Sequence, residues 1–475
     1  MWMMLSFLLN SLLNFAVSLL VAKFLGPEEY GRYGVALSLA VVVQTLLFDW
    51  LRLSATRFYG QRDHEQHPEV RATLDTSFAL VAALVLCAAA IIWRFDVVRS
   101  LAPGLAALAI VYAAACALSE YAAALLRARF LDRGYAFLVL SKNALYFLLA
   151  VGGAALFHSA PVVLVGMMAA MAVSLLLSGR ELIAPGAAPG KAQASLALRY
   201  FVYGTPIVLA NVLYQTVPLT DRWMVSNALG FAEAGQMSLA FEVGIRIVGA
   251  LGSALDVILF QLAVLAEKTD GEDRARAQVS RNMGIVAAIA LPAVAGVYAI
   301  LPSFEALLAP HDFQGPFGRY FTLQIPALLA FALINYALNP AFQIAHRLAP
   351  LIIAALAACV ANFLAILFLA PSTDATKFAL AQSISSMTGF VVLMALLLGS
   401  TKVRPRIVDI VGALVGCAAL LVATAPLRAM APGLVVMLAQ IVVGAGAYAA
   451  IAYAFDVADL RSAVVPALRR RLQRR

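Results

Sequence analysis

Leu25 to Leu37 reads LGPEEYGRYGVAL, and Leu229 to Phe241, 204 positions on (229 minus 25), reads LGFAEAGQMSLAF. The second stretch keeps five residues of the first: Leu25 matches Leu229, Gly26 matches Gly230, Glu29 matches Glu233, Gly31 matches Gly235 and Ala36 matches Ala240. Each copy is a short polar segment between two long apolar runs, the pattern of a hinge inside a helical hairpin. A segment repeated at a fixed offset predicts a chain of two similar halves.

Beyond the two copies, the whole chain has the composition of such hairpins. It has 475 residues, of which 63% are hydrophobic and 12% charged, with a mean hydropathy of +0.91. Soluble domains carry about a quarter charged residues, so the chain reads as an integral membrane protein. In lipid every backbone amide must pair inside the protein, which leaves helices of about 20 apolar residues or closed barrels. The ten-residue alternation of barrel strands is missing. The fold expected is therefore an all-α polytopic membrane protein with about 14 transmembrane helices. Two six-helix bundles, related by a pseudo-two-fold axis along the membrane normal, are followed by two further helices.

Residues 1–180 are expected to form the N-terminal bundle, 181–200 a cytoplasmic linker, 201–400 the C-terminal bundle, 401–455 the two added helices and 456–475 a basic cytoplasmic tail. The linker prediction rests on GRELIAPGAAPGKAQASLALRY, Gly179 to Tyr200, which is rich in glycine and proline and ends in an amphipathic stretch. The tail, LRSAVVPALRRRLQRR from Leu460, is suited to rest on anionic headgroups.

Orientation follows from the basic residues. With both termini cytoplasmic, 24 cationic residues fall in inside loops and 8 in outside loops and flanks. That threefold bias predicts the orientation. The first run begins at Met1 with no basic residue before it, so that helix alone favours the opposite insertion. The net charge of +9 is spread over membrane-flanking loops, so no nucleic-acid partner is implied. Cys87, Cys116, Cys359 and Cys417 all lie in apolar runs and read as packing residues, and the five histidines lack metal-ligand spacing. No metal and no cofactor are expected.

Charges inside spans are costly and mark candidate sites, although many only fix packing or snorkel to the headgroups. Asp221 and Arg222 lie in span seven, roughly 202–226. They are adjacent, point about 100° apart, and cannot both face lipid cheaply. In span eight, roughly 234–262, Glu242 and Arg246 stand at i, i+4, a spacing that suits either an intrahelical ion pair or a substrate contact. Arg222 and Arg246 facing one cavity would form a cationic floor for phosphate, with guanidinium forks offering paired hydrogen bonds. Asn211 and Gln215, one turn apart in span seven, suit sugar hydroxyls or helix–helix hydrogen bonds. In the first half, Asp49 and Arg52 close span two (roughly 32–51), Glu120 lies late in span four (roughly 104–126), and Lys142 with Asn143 opens span five (roughly 136–157), all nearer the cytoplasmic side, where snorkelling is cheap. Prolines 206, 218, 292, 326 and 340 interrupt spans of the second half, where kinks serve cavities or hinges.

These residues carry a family resemblance. LGPEEYGRYGVALSLA and YGTPIVLANVLYQTVPLTDRWMVSNALGFAEAGQMSLAFEVG resemble the polysaccharide transporter (O-antigen/exopolysaccharide flippase) branch of the multidrug/oligosaccharidyl-lipid/polysaccharide, or MOP, flippase superfamily. The most specific matches are Leu25 to Gly31, Tyr203-Gly204-x-Pro206, Asp221-Arg222, Leu229-Gly230 and Glu233 to Gly235. The resemblance implies a multi-pass protein of the bacterial inner membrane. It would carry an undecaprenyl-diphosphate-linked oligosaccharide, the precursor of a lipopolysaccharide or exopolysaccharide, to the outer leaflet by alternating access around a cationic cavity. It also implies membrane lipids as surroundings, coupling to an H+ or Na+ gradient, and a polysaccharide polymerase and other assembly proteins as partners. In lipid II flippases of this superfamily the last two helices form a groove for the lipid tail, a role expected of spans thirteen (roughly 407–425) and fourteen (roughly 432–454). The usual basic lead-in before span one is missing here, a departure that bears on where the chain starts.

Two alternatives stand beside this reading. A drug or cation antiporter of the same superfamily would favour acidic cavity residues. A membrane glycosyltransferase or polymerase would need a large outer loop or a carboxylate and metal site. Gly26, Glu29, Gly31, Gly230, Glu233 and Gly235 are read as hinge and cap residues at the outer mouth of the cavity rather than as ligands.

Overall fold

The computed structural model describes residues 2–60, 67–95, 101–183, 191–344, 347–401 and 403–461, and among these no strand occurs. The helices are α1 (Trp2–Phe58), α2 (Pro68–Phe95), α3 (Pro103–Ala128), α4 (Asp132–Tyr146), α5 (Gly152–Phe157), α6 (Ala160–Leu177), α7 (Gly179–Leu182) and α8 (Ala194–Ala228). They continue with α9 (Phe231–Asp270), α10 (Glu272–Leu308), α11 (Pro316–Leu333), α12 (Asn339–Ile344), α13 (Ala349–Phe368), α14 (Thr376–Ser400), α15 (Ile407–Arg428) and α16 (Leu434–Ala454). A π-helical turn, Phe147–Val151, joins α4 to α5, and another, Ile334–Leu338, joins α11 to α12.

Twelve stretches among the described residues are long and apolar enough to cross a membrane. The first of them, Leu13–Phe58, is broken at Gly26, and the 40-residue α9 is a further long helix. Counting both arms of α1 and adding α9 reaches the expected fourteen. The all-α polytopic architecture is thus the one the sequence predicts.

The two hinges are tighter than short loops. Gly26 has φ 71° and ψ 172°, and Pro27 opens the next arm at once. Gly230, its repeat partner, has φ 95° between α8 and α9. Both conformations belong to glycine, since a Cβ would clash with the flanking backbone. Proline suits the position after such a break because its missing N–H has no partner in a first helical turn. The seventh span also begins early: α8 starts at Ala194, so the end of the expected 181–200 linker is helical. Residues 184–190 of that linker and 462–475 of the basic tail lie outside the described residues.

Two compact units make up the chain. One is Met1–Leu239 with Leu369–Phe378, and the other is Ala240–Phe368 with Ala379–Arg475. In the first, α8 and α3 pack along α1 around Phe48, Leu51, Tyr59, Leu74, Phe78, Tyr121 and Tyr200. The alanines of α3 keep its axis close to α1, as apolar surroundings require of helices that associate by packing rather than by hydrophobic expulsion. In the second, α10, α15 and α16 pack together, and the Tyr448 hydroxyl donates to the Ala288 carbonyl at 2.6 Å.

Candidate functional site

The hinges meet within the first unit. A Cβ on Gly31 would strike the Phe231 carbonyl, and a Cβ on Gly235 would strike the Pro27 carbonyl. Phe231 lies 204 positions after Pro27, as Gly235 does after Gly31, so the two contacts are related by the repeat. The carboxylates beside them behave alike. Glu29 Oε2 accepts a hydrogen bond from the Ala160 N–H at 2.8 Å, at the start of α6. Glu233 Oε1 accepts from the Ala375 N–H at 3.0 Å, just before α14. Both glutamates accept from amides at helix N-termini, where the helix dipole favours negative charge. Each caps a helix remote in sequence rather than its own.

Below the hinges, α1, α3 and α4 enclose a polar cavity of about 270 Å³. Asn14 and Arg52 reach it from the two arms of α1, Ser119, Glu120 and Arg127 from α3, and Tyr135, Lys142, Asn143 and Tyr146 from α4. Glu120 and Arg127 are seven residues apart, two turns on one helix face, as are Tyr135 and Lys142. Arg52 is held by Asp49 through two hydrogen bonds of 3.2 Å, from Nε to Oδ1 and from Nη2 to Oδ2. Its Nε also lies 3.5 Å from Glu120 Oε2. The Asp49 side chain is 9% exposed and that of Glu120 42%. Lys142 Nζ is 5.7 Å from the Tyr146 ring centroid, and the Arg127 guanidinium 5.3 Å from that of Tyr135. Such rings orient a cation without neutralising it. Three cations meet two carboxylates at the cavity, which leaves it one net positive charge.

Arg52 and Lys142, 90 positions apart in the chain, are therefore neighbours lining one cavity, together with Glu120 and Asn143. Arg127 joins them, although by sequence it counts only as a loop cation. Its i, i+3, i+7 relation to Glu120 and Ala123 is the pattern that could have found it.

The remaining candidates of the first unit lie elsewhere. Asp221 is fully buried, and Arg222 is 4% exposed. Arg222 Nη1 donates to Ser38 Oγ at 2.7 Å and to the Gly34 carbonyl at 3.3 Å, which ties α8 to α1. Asn211 is half-buried and Gln215 exposed on α8. Neither is among the residues that line this cavity.

In the second unit, Glu242 Oε2 and Arg246 Nη2 are 3.9 Å apart on α9, the i, i+4 pair that the spacing allows. Arg246 Nε is buried without a hydrogen bond. A second cavity of about 360 Å³ lies between α10, α11 and α15 and is lined by Leu291, Val294, Tyr298, Ile325, Leu329 and Cys417 among others. Arg428, in the last turn of α15, stacks on Tyr298 at 3.8 Å.

A family model described as "Polysaccharide biosynthesis protein" matches residues 21–306, which is more than half of the chain. Among solved structures, the chain is similar to the lipid II flippase MurJ in an inward closed conformation, at 12% identity and a TM-score of 0.75, over 96% of this chain and 98% of that one. It is also similar to an inward-facing multidrug resistance MATE transporter of the MOP superfamily, at 14% identity and a TM-score of 0.59, over 82% and 96%. A third likeness is the MATE multidrug transporter DinF-BH, at 12% identity and a TM-score of 0.57, over 84% and 94%. A search of curated proteins gives no match. The chain therefore belongs to the polysaccharide biosynthesis protein family and has the fold of the MOP-superfamily transporters.

Proposed function

We propose that this protein is a flippase that moves an undecaprenyl-diphosphate-linked oligosaccharide from the cytoplasmic to the outer leaflet of the bacterial inner membrane by alternating access. The observation that carries the reading is the polar cavity with Arg52, Arg127 and Lys142 on its walls. A diphosphate and a hydrated glycan cannot cross hydrocarbon unaided, so a carrier must supply cations for the phosphates and a wet space for the sugar. The apolar cavity between α10, α11 and α15 suits the polyprenyl chain. Arg222 and Arg246 remain further candidate phosphate contacts, and Asp221, Glu242, Asn211 and Gln215 candidates beside them. The six-plus-six-plus-two division, cytoplasmic termini, coupling to an H+ or Na+ gradient and association with a polysaccharide polymerase belong to the same reading.

An antiporter that exports cations needs a negatively charged cavity, and the net positive cavity of the first unit suits it less well. In a strain deleted for the protein, complementation with Arg52→Ala/Lys142→Ala is expected to leave surface polysaccharide below about a tenth of the wild-type level while the protein still inserts. Arg222→Ala/Arg246→Ala tests the other cations in the same assay. Normal polysaccharide from Arg52→Ala/Lys142→Ala overturns the assignment of the site, and sugar transfer by the purified protein overturns the transport reading.

A further inference from the structure

Arg52 has two carboxylate partners of different character. Asp49 is nearly buried, sits one helical turn away on the same arm of α1, and binds the guanidinium through a two-bond fork. That geometry sets the direction of Arg52 and has no reason to change when the cavity fills. Glu120 comes from another helix, is 42% exposed, and stands 3.5 Å from Nε on the cavity side without a hydrogen bond to Arg52. An exposed ion pair at that distance in polar surroundings is weak, and a free side chain gives it up readily. Around Glu120 stand Asp49 and Arg52 from α1, Arg127 and Cys116 from its own helix, and Tyr135, Lys142 and Tyr146 from α4. No charged residue comes from α6, whose sequence has none.

We propose that Glu120 is a specificity residue that stands in for the phosphate of the substrate: it occupies Arg52 in the empty cavity and is displaced by the incoming diphosphate. The inference rests on the flippase reading above. Without Glu120 the cavity would set three cations against Asp49 alone, and that excess of positive charge would trap any phosphate of the cytoplasm. With Glu120 in place, only a ligand that brings several acceptor oxygens at once, as a diphosphate does, outcompetes the carboxylate. On release the carboxylate returns to Arg52, so the departing substrate is replaced by a partner already in the cavity and the face of the guanidinium that Asp49 leaves open is covered again.

The test is a titration of the purified full-length protein in lipid nanodiscs with inorganic pyrophosphate. Glu120→Gln is expected to tighten binding about tenfold, the loss of one competing charge-assisted contact. Glu120→Asp keeps the charge but draws it back from Arg52 by one methylene, and is expected to tighten binding by a smaller factor. Wild-type affinity in Glu120→Asp means that charge acts only through space and overturns the displacement. Glu120→Asp also carries the test should Glu120→Gln fail to fold. Arg52→Ala reports on the site itself. Wild-type affinity in that variant overturns the cavity reading, whereas loss of binding in Arg52→Ala with no tightening in either Glu120 variant overturns this inference alone. Absence of pyrophosphate binding in every form overturns both.

Discussion

Glu29 and Glu233 reach helices 131 and 142 residues away, where they accept from the main-chain N–H groups of Ala160 and Ala375. Glu29 also holds Arg32 at 2.5 Å, and the Arg32 guanidinium lies 5.5 Å from the Phe231 ring centroid, so the Glu29–Arg32 pair links α1 to both α6 and α9. Their role as caps is legible in the sequence from an acidic residue beside a helix break. Their partners are not, because nothing in a linear reading says which N-terminus folds back to the hinge. Loss of such a cap costs about 1–2 kcal/mol. Glu29→Ala and Glu233→Ala are each expected to destabilise the purified protein by that amount and so to lower its melting temperature. Glutamine at either position keeps an acceptor oxygen and should recover most of the loss, and melting temperatures unchanged in both alanine variants would show that the caps carry no stability. Arg222 teaches the same lesson from the other side. A charge within a span marks it for attention, and only the fold reveals that its hydrogen bonds run to Ser38 and the Gly34 carbonyl.

Among the helices, the repeat is a pair of crossing breaks. Gly26 and Gly230 turn the chain, and Gly31 and Gly235 let the two following helices touch main chain to main chain. Alanine at Gly31 or Gly235 would have to push backbone aside, because the atoms it meets are carbonyls rather than flexible side-chain ends. Overpacking of this kind costs about 1–3 kcal/mol. Gly31→Ala and Gly235→Ala are therefore expected to lose stability by similar amounts in thermal denaturation. Gly296→Ala is the control: it lies inside α10 with nothing within 4 Å of where its methyl group would stand, so it should be neutral or stabilising by about 0.5–1 kcal/mol. Equal behaviour of Gly31→Ala and Gly296→Ala would refute the close crossing. The five identities of the repeat locate these glycines in the sequence, but they do not say that the two copies face one another.

For the molecule as a whole, composition alone demands the membrane, and the uneven placement of lysine and arginine predicts its orientation. In a background without Cys87, Cys116, Cys359 and Cys417, single cysteines report the sides of the membrane. Gln314→Cys, between α10 and α11, is expected to react with an impermeant maleimide added to intact cells. Asp273→Cys, at the other end of α10, is expected to react only after permeabilisation. The reverse pattern overturns the orientation. The long apolar runs make the spans legible, yet α8 begins at Ala194, eight residues before the expected start of span seven, because an amphipathic stretch can continue a helix beyond the hydrocarbon.

Reading the chain along its length is enough to establish that it is a polytopic helical membrane protein, that a hinge motif recurs 204 positions on, and that a few charges lie in or at the ends of apolar runs, with Arg222 and Arg246 drawing more attention than Arg52 and Lys142. Hydropathy and repeat spacing are properties of the linear chain, and they survive without coordinates. Which charges share a space came from the packed helices alone. Arg52, Glu120, Arg127 and Lys142 come from three helices and meet at one cavity, whereas Arg222 hydrogen-bonds into a neighbouring helix. The reason is geometric: a helix face is legible from spacing within one segment, but which faces meet depends on packing among segments far apart in the chain.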